Sequence, residues 1–215
     1  MRGLMVDPDP DPDEPLGTAL GWVGEGHRMG FVRTSSMSLR LRDSAELLAT
    51  LAGGADVGDD EAVDLLAHAL QCAAILEAVA PGDRELQVAG LVHDIGTILA
   101  PNRPEAHARV GATAVRGLLG PRAAHLVRLH DQAKRYLVTT DPGYRHQLSA
   151  RSLETLRLQG GLLDPDERAA LDADPDLGAG LTLRRADDDA KRPGTVVPDL
   201  GHWQGVLDQL ARSAA

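Results

Sequence analysis

The chain has 215 residues, 43% hydrophobic and only 2% aromatic, with a formal net charge of -10. One domain is the default at this length, and its core must come from Leu, Val and Ala, which favours helices over a sheet. The acidic balance argues against a general binder of nucleic acid or anionic membranes, because such a binder needs a basic face. The lone cysteine, Cys72, leaves no intrachain disulfide and fits a reducing cytoplasm. No apolar stretch is long enough to span a bilayer, and the N-terminus lacks a basic-then-apolar signal pattern.

Taken in chain order, residues 1–36 carry the acidic, proline-rich run "DPDPDPDEP" and isolated Trp22 and Phe31. Such a run neither holds a helix nor packs a core, so a disordered tail is expected, with Met37 a candidate natural start and residues 37–215 the folded domain. Periodicity begins at "MSLRLRDSAELLATLAGG". "EAVDLLAHALQCAAILEAVA" repeats apolar residues at helical spacing and stops at Pro81-Gly82. "DRELQVAGLVHDIGTIL" predicts a second helix with Asp83 as N-cap. "EAHARVGATAVRGLLG" is a third, closed by Gly120, and "PRAAHLVRLHDQAKRYLVTT" a fourth, opened by Pro121. "SARSLETLRLQGG" starts on a serine cap and ends in Gly-Gly. "DPDERAALDAD", "LTLRRADDDAKRPG" and "DLGHWQGVLDQLARSA" complete the chain. No strand-type alternation recurs, so the expected class is an all-α bundle.

The chemistry-bearing candidates are His68, the pair His93-Asp94, His107, His130 and Asp187. Imidazole nitrogen and carboxylate oxygen suit iron, manganese or zinc. Four histidines and two aspartates exceed one tetrahedral site and are about right for two metals bridged by a shared carboxylate. Adjacent on a helix, His93 and Asp94 diverge by about 100°, yet can still reach two ions a few ångströms apart. His27, His125, His146 and His202 have no argued partner. Asp187 lies in "DDD", which alone reads as a solvated or capping run.

The ordered set resembles the HD-domain superfamily, whose ligands run H…HD…D; here His68, His93, Asp94 and Asp187 fill that order. His107 and His130 fill the extra positions of its dinuclear members. The words "HALQCA", "RLHDQAKRYLVTTDPGY", "LSARSLETLRLQGG" and "RRADDDAK" resemble one subgroup, over roughly residues 58–205. That subgroup is the phosphonate-degrading mixed-valent diiron oxygenases, typified by 2-amino-1-hydroxyethylphosphonate dioxygenase and related to myo-inositol oxygenase. The resemblance implies an HD-domain bundle holding two iron ions, Fe(II) and Fe(III), with O2 and a small anionic phosphonate as substrates. It implies oxidative C–P cleavage with release of phosphate in a cytoplasmic enzyme of phosphonate catabolism. It assigns the last ligand to Asp187, four residues before Lys191, over Asp188 and Asp189. It also implies substrate-binding positions at Lys134, Ser152 and Arg184, and a pocket-forming glutamate at Glu61.

Two positions depart from that subgroup. Gly58 stands where a tyrosine commonly caps an iron, and Thr97 where a histidine usually reaches the substrate. Oxygen gating and phosphonate grip are therefore expected to differ. Two other readings stay open. A phosphohydrolase would use the same metals, or other divalent ions, to activate water against a phosphate ester. A metal-poor HD module would bind a nucleotide or a partner without chemistry.

Overall fold

A computed structural model describes residues 40–55, 57–58 and 62–214. The expected tail, Trp22, Phe31 and the start at Met37 lie outside the described residues. Among those described, the regular structure is helical apart from an isolated bridge between Gly58 and Asp64, as the aromatic-poor composition predicts.

Helix α1 (Ser44–Ala52) begins at Asp43, whose carboxylate accepts from Glu46 N at 2.8 Å. Helix α2 (Leu65–Val79) begins at Asp64, which accepts from Ala67 N at 2.7 Å. Each cap satisfies a backbone donor that the first turn leaves without a partner. The stretch predicted as one helix from Asp83 is two, α3 (Arg84–Val92) and α4 (Ile95–Leu99). The break falls on His93-Asp94. Asp94 has φ -99° and ψ 9°, outside helical values, and His93 Nδ1 donates to Gly90 O at 2.8 Å, using one of the last carbonyls of α3.

A short 3-10 turn, Pro104–Ala106, leads into α5 (His107–Leu119). Gly120, at φ 88°, reverses the chain into α6 (Pro121–Thr140), whose bounds match the predicted fourth helix. Next come a 3-10 turn at Tyr144–Gln147, not anticipated from the pattern, then α7 (Ala150–Leu158), capped by Ser149 as expected. Helix α8 (Pro165–Asp172) starts with a capping box between Asp164 and Glu167. Helix α9 (Leu177–Asp189) and α10 (Leu200–Ala214) close the bundle.

Helix α6 lies against α3, α5 and α9, and α2 against α3 and α9. Between them sits a core of Leu47, Leu76, Leu91, Ile95, Leu119, Leu126 and Leu183, sealed by Trp203 and Leu207 of α10. At Gly96 the backbones of α4 and α5 touch. A Cβ there would lie 1.9 Å from His107 O and 2.9 Å from Gly111 N, so only glycine lets α5 come this close. That contact sets the start of α5 beside the turn carrying Asp94.

Candidate metal centre

Five helix segments deliver the candidate residues to one place. His68 comes from the first turn of α2, His93 and Asp94 from the α3–α4 break, His107 from the start of α5, His130 from mid-α6 and Asp187 from late α9. All four histidines are buried.

Each imidazole is oriented through Nδ1. His68 bonds Ala190 O at 2.9 Å, His93 Gly90 O at 2.8 Å, His107 Pro104 O at 2.6 Å and His130 Val127 O at 2.6 Å. A carbonyl only accepts, so each Nδ1 carries the proton and each neutral ring presents a bare lone pair at Nε2. These lone pairs face one another. His68 Nε2 is 3.2 Å from His93 Nε2, and His107 Nε2 is 3.0 Å from His130 Nε2. Two acceptors cannot hydrogen-bond, so a proton or a metal cation must lie between each pair.

Asp94 stands between the pairs. Its Oδ2 lies 3.4 Å from His93 Nε2 and 3.7 Å from His68 Nε2, while its Oδ1 lies 3.3 Å from His107 Nε2 and 3.7 Å from His130 Nε2. Asp187 Oδ1 closes the first pair, at 3.2 Å from His68 Nε2 and 3.8 Å from His93 Nε2. Donors about 2.1 Å from one ion lie about 3.0–3.4 Å apart. The observed separations are of that order, and His68, His93 and Asp94, like Asp94, His107 and His130, could hold a metal ion. The donor set fits two cations sharing one carboxylate.

The electrostatics point the same way. Burial opposes charge on His107, but Asp131 and Asp94 outweigh it and raise the ring to about 9. His130 is pushed down to about 4, chiefly by burial and further by the His107 charge, against the pull of Asp131. Burial works against ionised Asp94 as well, yet His93 and His107 hold it well below the usual carboxylate range. Asp187 is likewise held down, despite burial, by Arg184 and His68. The site keeps Asp94 and Asp187 ionised and draws positive charge onto His93 and His107.

A cavity opens beside these atoms, and Thr97, Lys134, Ser152 and Arg184 line it together with His68, Asp94, His107, His130 and Asp187. Lys134 lies one turn after His130, and its Nζ donates to Thr155 Oγ1 at 2.9 Å. Burial brings it down to about 8, opposed by Asp131. Arg184 Nε donates to Tyr144 Oη at 2.8 Å, and its terminal nitrogens pair with Asp187 at 2.5 Å and with Asp188. Its guanidinium therefore orients Asp187 before it meets any ligand. Asp188 turns to Arg184 and Tyr144 and Asp189 is exposed, leaving Asp187 as the acid of "DDD" that faces the imidazoles. Glu61 lies outside the described residues. Gly58 is exposed with open space where a side chain would begin.

Sequence reasoning passed over Asp131, which sits 3.4 Å from His130 Nε2 and 3.5 Å from His107 Nε2. A signal was present, since His130-Asp131 is a second His-Asp dipeptide. His125, set aside earlier, pairs with Asp174 on the surface at 2.9 Å.

The HD domain family signature matches residues 65–175, a span holding His68, His93, Asp94, His107 and His130. Hydroxymethylphosphonate dioxygenase of Gimesia maris is 37% identical over 158 residues, covering 69% of this chain and 78% of that protein. The 1-hydroxy-2-(trimethylamino)ethylphosphonate dioxygenase (glycine-betaine-forming) of Leisingera caerulea is 31% identical over 158 residues, covering 70% of this chain and 80% of that protein.

Proposed function

This chain belongs to the HD-domain family, and we propose that within it the chain is an oxygenase that cleaves the C–P bond of a hydroxylated phosphonate with O2 and releases phosphate. The observation that carries this reading is the likeness, over about seven-tenths of the chain, to two enzymes named as phosphonate dioxygenases. The facing imidazole pairs around Asp94 support it, because they suit a pair of cations.

We assign His68, His93, Asp94 and Asp187 as the residues that would hold one ion, and Asp94, His107 and His130 as those that would hold the second, with iron as Fe(II) and Fe(III) the pair supplied. An iron pair held there would lower the pKa of the substrate hydroxyl and supply the redox chemistry toward O2. The protein's part is to bind and orient. The Lys134 ammonium, steadied by Thr155, offers a point charge to phosphonate oxygens. Arg184 adds charge with the N–H groups its internal partners leave over, and the Ser152 hydroxyl donates at the cavity wall. Thr97 borders the same space with a short uncharged side chain. For hydroxymethylphosphonate the balance is one O2 consumed, the C–P bond broken, and one formate and one phosphate formed. The single cysteine, Cys72, buried and unpaired in any disulfide, suits a cytoplasmic enzyme.

The test is anaerobic loading with iron, followed by hydroxymethylphosphonate and a measured dose of O2. Phosphate and formate should appear in equal amounts with O2 uptake, and a mixed-valent EPR signal should shift when the phosphonate is added. Metal-dependent phosphate release from phosphate esters without O2 uptake would replace this reading with the hydrolase.

A further inference from the structure

The second imidazole pair has a carboxylate of its own. Asp131 follows His130 on α6, is 7% exposed, and points Oδ1 at both rings. The three atoms His107 Nε2, His130 Nε2 and Asp131 Oδ1 form a triangle with sides of 3.0, 3.4 and 3.5 Å. Those are the edges expected of donors sharing one ion at about 2.1 Å. Asp187 Oδ1 has the same relation to the first pair, at 3.2 and 3.8 Å. Each pair is therefore flanked by Asp94 and by one private carboxylate.

The alternative role for Asp131 is to neutralise Lys134, three residues on. Geometry disfavours it, because Asp131 Oδ1 is 3.9 Å from Lys134 Nζ, farther than from either imidazole. Lys134 instead bonds Thr155. Asp131 is held from behind by Gln159 Nε2, which donates to its Oδ1 at 2.6 Å. An amide fixing a carboxylate that faces two imidazole lone pairs is the arrangement that orients a metal ligand.

We propose that Asp131 is a protein ligand of the second metal position. The inference rests on the dinuclear reading above and extends it. Both positions then carry two imidazoles, a private carboxylate and one oxygen of Asp94. Gln159 becomes a positioning residue that keeps Oδ1 turned to the rings.

Metal content tests this without reference to turnover. The full chain and its Asp131→Asn and Asp131→Ala variants are loaded with Fe(II) anaerobically, desalted, and assayed for iron per chain, with circular dichroism to confirm folding. The wild-type chain should hold two irons and each variant one, with affinity for the second metal weakened by roughly tenfold to a hundredfold or more. Asn is close to Asp in volume, so that variant carries the test if the alanine variant fails to fold. Two irons held with wild-type affinity in the folded variants would overturn the assignment. If iron were unchanged while hydroxymethylphosphonate binding fell, Asp131 would be an orienter of Lys134 instead. A wild-type chain that takes up no second iron would overturn the dinuclear reading itself, and this proposal with it.

Discussion

His107 Nε2 and His130 Nε2 face each other across 3.0 Å, each with its Nδ1 already committed to a backbone carbonyl. Neither ring can turn away without breaking a buried hydrogen bond, so the pair is built around a positive charge. His107→Ala should therefore lower metal content by one per chain while the His68–His93–Asp187 position still loads. Elemental analysis of the desalted protein reads this directly, and full dinuclear loading would mean the ligand assignment is wrong. Chelating the metal from the wild-type chain should also lower its melting temperature, because bound ligand stabilises the native state by mass action.

Lys134 is buried on the helix face that carries His130, with Thr155 holding its ammonium. Lys134→Ala should leave metal content intact and weaken hydroxymethylphosphonate binding by about 1.5–3 kcal/mol, roughly tenfold to a hundredfold. Titration of the anaerobic iron-loaded protein, followed by EPR, measures it. Unchanged binding would remove Lys134 from the phosphonate site.

Gly96 lies against the His107 carbonyl, where a Cβ would approach to 1.9 Å. The obstacle is backbone on both sides, so no side-chain rotation relieves it. Gly96→Ala should cost about 3 kcal/mol of stability and displace His107 from Asp94. Denaturant unfolding checks the first effect and metal content the second. A variant with wild-type stability would show that α4 and α5 can separate freely.

Asp83 caps α3 at Leu86 N and makes a two-pronged ion pair with Arg122 of α6, at 2.7 and 2.8 Å. Arg122, with help from the cap, holds the Asp83 carboxyl below its ordinary 3.8 against the effect of partial burial. A depressed native pKa gives stability that is complete above the ordinary value and fades as pH falls through the native one. Asp83→Ala should thus cost about 1–2 kcal/mol at pH 7, and the gap from wild type should close in strong acid. Urea unfolding at neutral pH and below pH 3.8 measures the difference at both ends.

The helical class, most helix bounds and the cap residues were legible in the chain because they rest on local chemistry. Pro121 opens α6, Ser149 caps α7 and Gly120 reverses the chain as their residue types require. The order of His68, His93-Asp94, His107, His130 and Asp187 marked the site through its resemblance to the HD-domain order H…HD…D. What stayed hidden was non-local. The helix break at His93-Asp94 arises where a buried ring claims the Gly90 carbonyl, which no periodicity records. The resemblance picked Asp187 over Asp188 and Asp189, but the physical reason, that this acid lies on the face of α9 that meets the imidazoles, is a matter of how α9 packs on α2 and α6. Asp131 read as one more acid on a helix until α5 brought His107 within 3.5 Å of it. Sequence alone determined which donors the chain carries and in what order. Tertiary packing decided which lone pairs face one another, because that depends on distances between helices and not along them.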